Sequence, residues 1–300
     1  MPSTRPLSGL QVVAVRYLNS RYVGRDQLAL ESYAASGVYE EARVPVEVFE
    51  PSMPQGLPSG DEVAAIGALG GEIAGVVAPA RRAGKAILMV GGNCSYVTGV
   101  LGGLQDAHGP GARIGLAWFD AHGDFNTPRT TLTGRLGGMP VAVCAGLAYP
   151  TWRERSHVAA PLSTDRIVMT DLRSLDPAEE GLIRATDAVV AAPAPGFPGH
   201  DLRGAIGDLA GRVDMIYLHI DADILDEAYL PNHGTREPYG PDMDQVLEAI
   251  DVVMATGKVV ALAVVSVPFQ GSGSQVDIAS GVELIRGGLS SWRRHGMPLG

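Results

Sequence analysis

Leu116-Ala117-Trp118-Phe119-Asp120-Ala121-His122-Gly123-Asp124 runs from bulky apolar residues directly into Asp-x-His-x-Asp. The apolar run, which starts near Arg113, predicts a buried strand, and the polar triplet predicts its C-terminal end. Side chains two apart on a strand point to the same side. Asp120, His122 and Asp124 therefore project together if the extended geometry persists. Two carboxylates and an imidazole gathered at a strand end are costly to bury without a counter-charge. A divalent metal ion supplies one. A polar turn closing a strand is the plainer alternative.

A second stretch repeats the arrangement. His219-Ile220-Asp221-Ala222-Asp223-Ile224-Leu225-Asp226 follows the apolar run 213–220, and Asp221 and Asp223 share a side if extended. Two such clusters at strand ends in one chain favour a shared metal site over two unrelated turns. Four carboxylates and one imidazole do not suit a structural zinc site, which takes Cys and His. Oxygen-rich ligation with one or two nitrogens suits Mn²⁺. A carboxylate such as Asp120 or Asp221 can bridge two ions, and a water held between them becomes a nucleophile at neutral pH.

The rest of the chain predicts the frame for these clusters. Strands are expected over 11–17, 45–49, 85–90, 113–119, 166–170, 188–192, 213–220 and 259–267, and helices over 61–83, 96–107, 139–148, 202–211, 242–256 and 278–294, with 21–42 partly helical. Asp61 is a candidate N-cap and Gly84 a candidate residue just past the helix end. Asp176-Pro177-Ala178-Glu179 is a helix start, with an N-cap, Pro at the first helical position and Glu three residues on. Strand and helix alternate without a linker or internal repeat. The expectation is one α/β domain over residues 1–300, with a mostly parallel sheet covered on both faces. Ligands in such sheets bind outside the carboxyl ends of strands, where Asn93 and Cys94, Asp171 and Arg173, and the two aspartate clusters fall.

Composition narrows the partners. The 300 residues carry a net charge of −10, with 46% hydrophobic and 19% charged residues. An acidic chain argues against a nucleic-acid partner, which wants a basic face. The two cysteines, Cys94 and Cys144, make no disulfide framework and suggest a reducing compartment. No signal-peptide core follows the N-terminus and no apolar run is read as reaching the roughly 18 residues of a membrane span. A cytoplasmic protein with a small-molecule substrate and no membrane partner is expected.

Asp120-Ala121-His122-Gly123-Asp124-Phe125-Asn126-Thr127-Pro128, followed by Asp221-Ala222-Asp223-Ile224-Leu225-Asp226, resembles the arginase–agmatinase (ureohydrolase) family, with motif order agreeing from Gly91 to Pro268. The resemblance implies a three-layer α/β/α fold with a parallel sheet of about eight strands. It implies two Mn²⁺ ions, hydrolysis of a guanidino group by a hydroxide they share, and trimers or hexamers. By position, Cys94, Asp120, His122, Asp124, Asp221 and Asp223 fall where the metal ligands stand, with Asp120 and Asp221 bridging. Asn126, Thr133 and Asp176 fall where the family contacts the α-carboxylate and α-amino groups of an amino-acid substrate.

Three positions depart from the pattern. Gly91-Gly92-Asn93-Cys94-Ser95 stands where the family has Gly-Gly-Asp-His-Ser. Cys94 is read first as a thiolate ligand, which would tilt the site toward Zn²⁺, Co²⁺ or Fe²⁺. The alternatives are a weakened first metal position and a small buried residue. Gly137 stands where arginases carry a proton-shuttling His. Val265, in Val265-Ser266-Val267-Pro268, stands where they carry the Glu that grips the guanidinium. The amino-acid end of the site is thus retained and the guanidinium end rebuilt. An N-hydroxyguanidine, less cationic at neutral pH, fits that split. The resemblance then narrows to the Nω-hydroxy-L-arginine hydrolases, which release hydroxyurea and L-ornithine. Hydrolysis of another guanidino or formimino compound, and a catalytically weak homologue kept for binding, are the alternatives.

Other candidates complete the reading. His219, two residues before Asp221, is expected to support a ligand from behind, and Asp124 to serve chemistry as well as ligation. His233 could replace the missing proton shuttle. There is no G-x-G-x-x-G, no phosphate-loop Lys and no G-x-S-x-G. Cys94 as a nucleophile would leave the aspartates without purpose. Cys144 is expected in the core.

Overall fold

A computed structural model describes residues 4–24, 29–57, 60–268 and 274–299. Parts of two segments read from sequence, 25–28 and 58–59, lie outside the described residues. Eight strands form one sheet: β1 (Leu10–Val15), β2 (Val46–Phe49), β3 (Ala86–Gly91), β4 (Ile114–His122), β5 (Ile167–Ser174), β6 (Val189–Ala191), β7 (Met215–Asp221) and β8 (Val259–Val265). Their spatial order is β2-β1-β3-β8-β7-β4-β5-β6, and every neighbouring pair is parallel.

The central strands read as continuous apolar runs because both faces of the sheet are covered. Leu88, Val90, Phe119, Ile220 and Val264 point into one core, packed under Leu30, Ile206, Ile250 and Ile285. Ile87, Met89, Trp118, Tyr217 and Ala263 point into the other, packed under Ile66, Ile73, Val100 and Leu104. The first face carries α1 (Leu30–Ser36), α7 (Leu202–Arg212), α8 (Met243–Met254) and α9 (Ser274–His295). The second carries α2 (Glu62–Arg82) and α3 (Val97–His108), with the short α4 (Pro140–Cys144) and α5 (Pro150–Arg155) beside them. Helix α6 (Pro177–Arg184) follows β5. The expected three-layer α/β/α architecture with eight parallel strands is observed.

Local details differ from expectation. The helix read over 139–148 stops at Cys144, because Gly146 takes a left-handed φ of 78°. A separate α5, in a stretch where no element is expected from the sequence, buries Trp152. Helix α2 has 21 residues and is long and apolar enough, by length and composition, to cross a membrane. That overturns the reading that no run reaches such a length. The helix itself is expected over 61–83, its hydropathy is spread over Ala and Gly as well as larger residues, and its apolar side packs on α3 and α5, with Ile66, Leu69, Ile73 and Val77 fully buried.

The topology fixes the site. The strands that carry the polar motifs, β3, β8, β7 and β4, are adjacent and central. Being parallel, they all end on the same edge of the sheet.

Candidate metal centre

Backbone geometry at these strand ends differs from simple extension. Strand β4 continues through His122, so Asp120 and His122 do share a side. Asp124 lies past the end, at φ 47°, where extended alternation no longer applies. At β7 the strand stops at Asp221, and residues Ala222–Ile224 form a 3₁₀ turn capped by Asp221, whose Oδ1 accepts from Asp223 N at 3.1 Å. The turn, not strand alternation, brings Asp223 beside Asp221. Gly123 is required between the motif's polar residues. A Cβ there would lie 2.7 Å from Glu179 Oε1 and 2.9 Å from Leu175 Cδ2. That Glu179 carboxylate accepts from Phe125 N at 2.8 Å and Asp176 N at 3.3 Å, pinning the chain just after the motif.

Three groups of ligand atoms result: Cys94 with Asp120 and Asp221; Asp120 with His122 and Asp223; and Asp221 with Asp223 and His233. Within each group the atoms lie within 4.8 Å of one another. Asp120, Asp221 and Asp223 each belong to two groups, so the three groups form one continuous cluster of carboxylates. Asp124 lies outside these close groups but lines the same cleft, of about 340 Å³. Thr133, Arg135, Gly137, Thr235 and Ser266 line it too.

Electrostatics point the same way. Burial, and after it neighbouring aspartate charge, pushes the Asp120 and Asp221 carboxyls up. Burial also raises Asp124 despite the nearby His122. Burial and the Asp221 charge raise the Cys94 thiol, which donates to Asp221 Oδ2 at 2.9 Å. Burial alone would lower His122. Its contacts with Asp120 and Asp223, both 3.2 Å from Nδ1, instead hold its imidazolium well up. Burial alone would raise Asp223, but His122 brings it down to about 2. Anionic oxygens crowded in a nearly dry site, carrying protons they would shed beside a cation, fit divalent ions. The donor set of four aspartates, two imidazoles and one sulfur is chemically suited to them.

The supporting shell was only partly visible in sequence. His219 does not line the cleft. It is fully buried behind Cys94, its ring stacked on Trp118 at 4.4 Å, with Tyr217 Oη 3.0 Å from Nδ1 and Cys94 Sγ 3.3 Å from Nε2. Burial lowers its pKa to about 3, so the ring is neutral. Asn126 Nδ2 donates to Asp176 Oδ2 at 3.1 Å, and Thr130 Oγ1 donates to Asn126 Oδ1 at 2.8 Å. Of the three residues expected to meet substrate, Thr133 lines the cleft, while Asn126 and Asp176 bond each other and are not among the residues that line it. Asp176 also caps α6 in the expected capping box. Cys144 is buried in the core.

Sequence reasoning missed four supports. Ser266, at φ 62°, donates from Oγ to Asp221 Oδ2 at 2.6 Å. The neighbouring Val265 points into the core instead. Glu237 Oε1 lies 3.2 Å from His122 Nε2, and Thr235 Oγ1 donates to Asp223 Oδ2 at 3.1 Å. Arg173 was noticed at a strand end without a role. It pairs with Asp171 and donates to the carbonyls of Ile224, Asp223, Leu225 and Glu237 at 2.8–3.0 Å. Position 265 drew attention because of what it lacks. The contacts of 235 and 237 depend on a loop path that no periodicity encodes.

Comparisons with known proteins agree with this architecture. The family model described as the Arginase family matches residues 45–286. The arginase of Neurospora crassa is 30% identical over 200 residues, covering 61% of this chain and 53% of that protein. The arginase of Bacillus caldovelox is 29% identical over 161 residues, covering 51% of each. The chain thus spans about half the length of these curated relatives in the matched region. In structure, the B. caldovelox arginase superposes with a TM-score of 0.78 at 21% identity, covering 95% of this chain and 98% of that one. An Entamoeba histolytica arginase, solved in complex with L-ornithine, gives 0.80 at 19% identity, covering 95% and 99%. The structures carry the fold and the family model carries the kinship: this chain belongs to the arginase family.

Proposed function

We propose that the protein is a metal-dependent amidinohydrolase acting on an arginine-like amino acid, with Nω-hydroxy-L-arginine as its preferred substrate. The observation that carries the reaction class is the set of three overlapping ligand groups at the ends of three central parallel strands, β3, β4 and β7, and in the loop that follows β7. Cys94, Asp120, His122, Asp124, Asp221 and Asp223 would hold two divalent ions, Mn²⁺ or, with a thiolate present, Zn²⁺, Co²⁺ or Fe²⁺. Such ions supply an acidified water as nucleophile at neutral pH.

The chain's own groups do the rest. Ser266 and Thr235 hold Asp221 Oδ2 and Asp223 Oδ2, while the backbone N of Asp223 and of Ala121 donates to the Oδ1 of Asp221 and of Asp223, so both carboxylates are fixed in orientation. Asp124, whose carboxylate lines the cleft, would take a proton as water adds to the amidine carbon and return it to the departing amine nitrogen. The bond from carbon to that nitrogen breaks, giving ornithine and hydroxyurea from the hydroxyguanidine, or urea from a guanidine. Thr133 and the Asn126–Asp176 pair sit at the side where an amino-acid head would enter.

The preference for a hydroxyguanidine rests on what faces the cleft at its far end. No carboxylate comes from the 265–268 segment, since Val265 is in the core and Ser266 is engaged with Asp221. At Gly137 a Cβ would have 3.6 Å of clearance to Asn93 Nδ2, so the space of a larger side chain stays open beside the amidine. A site without an added carboxylate favours the less cationic head. A second reading, an amidino or formimino compound with an additional acidic group, is favoured by Arg135 at the cleft wall.

Purified protein loaded with Mn²⁺ should turn over Nω-hydroxy-L-arginine with kcat/KM at least about 10-fold above that for L-arginine, a difference of about 1.4 kcal/mol. Equal turnover of the two would overturn the substrate preference. Turnover of only an acidic formimino compound would favour the second reading. No turnover of any amidino compound with both ions bound would overturn the reaction class.

A further inference from the structure

His233 occupies an unusual place between two carboxylates. Its side chain is only 10% exposed, with Nε2 3.8 Å from Asp221 Oδ1 and Nδ1 3.6 Å from Asp223 Oδ2. Both separations are too long for hydrogen bonds, whose heavy atoms meet at about 2.7–3.2 Å. A nearly buried ring that faces two carboxylates at ion-pair rather than hydrogen-bond distance leaves room for a small cation to be held by the ring and the carboxylates together. Two ligand atoms each about 2.0–2.2 Å from one ion lie up to about 4.2 Å apart, and 3.8 Å falls inside that limit.

The ring is held in place before any ion arrives. His233 N donates to Leu230 O at 3.0 Å. On one side Asn232 is clamped to the buried Asp277 of α9, with Nδ2 donating to Oδ2 at 2.6 Å and the backbone N to Oδ1 at 3.2 Å. On the other, Thr235 Oγ1 is bonded to Asp223. Nδ1 lies 3.2 Å from the Thr235 carbonyl oxygen. Thr235 N donates to the same Nδ1 at 3.3 Å and Thr235 Oγ1 lies 3.2 Å from it, so Thr235 engages Nδ1 whichever role it takes and leaves Nε2 facing Asp221. With an ion on Nε2, Nδ1 would carry the proton and donate to the Thr235 carbonyl, the arrangement by which a backbone carbonyl orients a ligating histidine.

We propose that His233 Nε2 is a direct ligand of the divalent-metal centre, on the Asp221–Asp223 side. This deepens the proposed function and rests on its metal centre. Cys94 leaves the other side without an imidazole, and His233 supplies a second one, beside His122, from a different loop. The centre then has a sulfur-bearing end at Cys94 and a nitrogen-rich end at His122 and His233. His233 is thereby assigned to holding an ion rather than to carrying protons.

The test is metal binding, independent of turnover. Apo protein is titrated with Mn²⁺ and, separately, Co²⁺, with ions per chain counted after dialysis. Solvent-exchangeable imidazole N–H signals, shifted by bound Co²⁺, are recorded by proton NMR. His233→Ala should retain one ion at parental affinity, weaken the other at least about 10-fold, and lose one shifted N–H signal. His233→Gln, close in volume, should behave alike and carries the test if His233→Ala does not fold. Cys94→Ala should keep every shifted N–H signal. Two ions bound at parental affinity with every N–H signal retained in His233→Ala would overturn the inference alone. A parent chain that binds no divalent ion would overturn both the inference and the proposed function.

Discussion

Removing the Arg173 guanidinium would strand five backbone carbonyls and one buried carboxylate. Its donors satisfy the turn Ala222–Ile224, which places Asp223, and reach the 237–238 segment, which places Glu237. Its charge balances Asp171, which is buried and held at φ 87°, a conformation costly for a residue with a Cβ. Arg173→Ala leaves that carboxylate unpaired, a loss of about 3–5 kcal/mol for a buried pair. Arg173→Lys keeps the charge but not the planar fork that reaches several carbonyls at once, and should recover only part. Urea unfolding of the metal-free proteins measures both. Equal stability of Arg173→Ala and parent would show that the carbonyls find water instead. Sequence alone gave no hint of this role, because a positive residue at a strand end reads as readily as a substrate contact. Five of the seven donors assigned to the metal, Asp120, His122, Asp124, Asp221 and Asp223, were legible because Asp-x-His-x-Asp and Asp-x-Asp follow apolar runs. The contacts of Arg173, Ser266 and Glu237 were not, since each depends on where a distant loop lands.

At the scale of elements, strands β3, β4, β7 and β8 were legible as unbroken apolar runs, and their order in the sheet was not. Nothing in the run 259–265 says that it inserts between β3 and β7, yet that insertion brings Ser266 to Asp221. Motif geometry was also read too simply: the 3₁₀ turn and the left-handed Asp124 replace the alternation expected of extended chain. Helix α6 was read correctly from its start signal, and its cap does two jobs. Asp176 closes the capping box and accepts from Asn126 Nδ2. Asp176→Ala should cost about 1 kcal/mol for the lost cap and raise KM about 10-fold, the scale of one hydrogen bond to a charged group, as Asn126 loosens. Asp176→Asn, an equally good cap residue, should hold stability within about 0.5 kcal/mol and still raise KM. A stability loss in Asp176→Ala with unchanged KM would reduce Asp176 to a cap.

For the whole molecule, the centre couples folding to pH through the ion. Without metal, the fold raises the carboxyls of Asp120, Asp124 and Asp221 by burial. An acid whose folded pKa lies above its unfolded value favours the fold in its protonated form. That contribution is present below the unfolded pKa, in the acid range, and is lost as pH rises through the raised value. His122, held up by Asp120 and Asp223, acts in the same direction. Asp223, brought down to about 2, acts oppositely, but its contribution is lost only as pH falls below about 4. His219, at about 3, disfavours the fold as pH drops below about 6.5, equally with and without metal, and cancels in the difference. Ions bind the deprotonated ligands and release these protons, so affinity rises with pH. An ion at 100 times its Kd adds about 2.7 kcal/mol of stability, a shift of roughly 5 °C or more at this chain length. The difference in Tm between Mn²⁺-loaded and metal-free protein should therefore widen steadily from pH 5 to pH 8. Scanning calorimetry at fixed free Mn²⁺ measures it. A difference constant or narrowing over that range would mean that the ligands already stand deprotonated in the empty centre, and that the crowding of their charges is relieved by some means other than the ion.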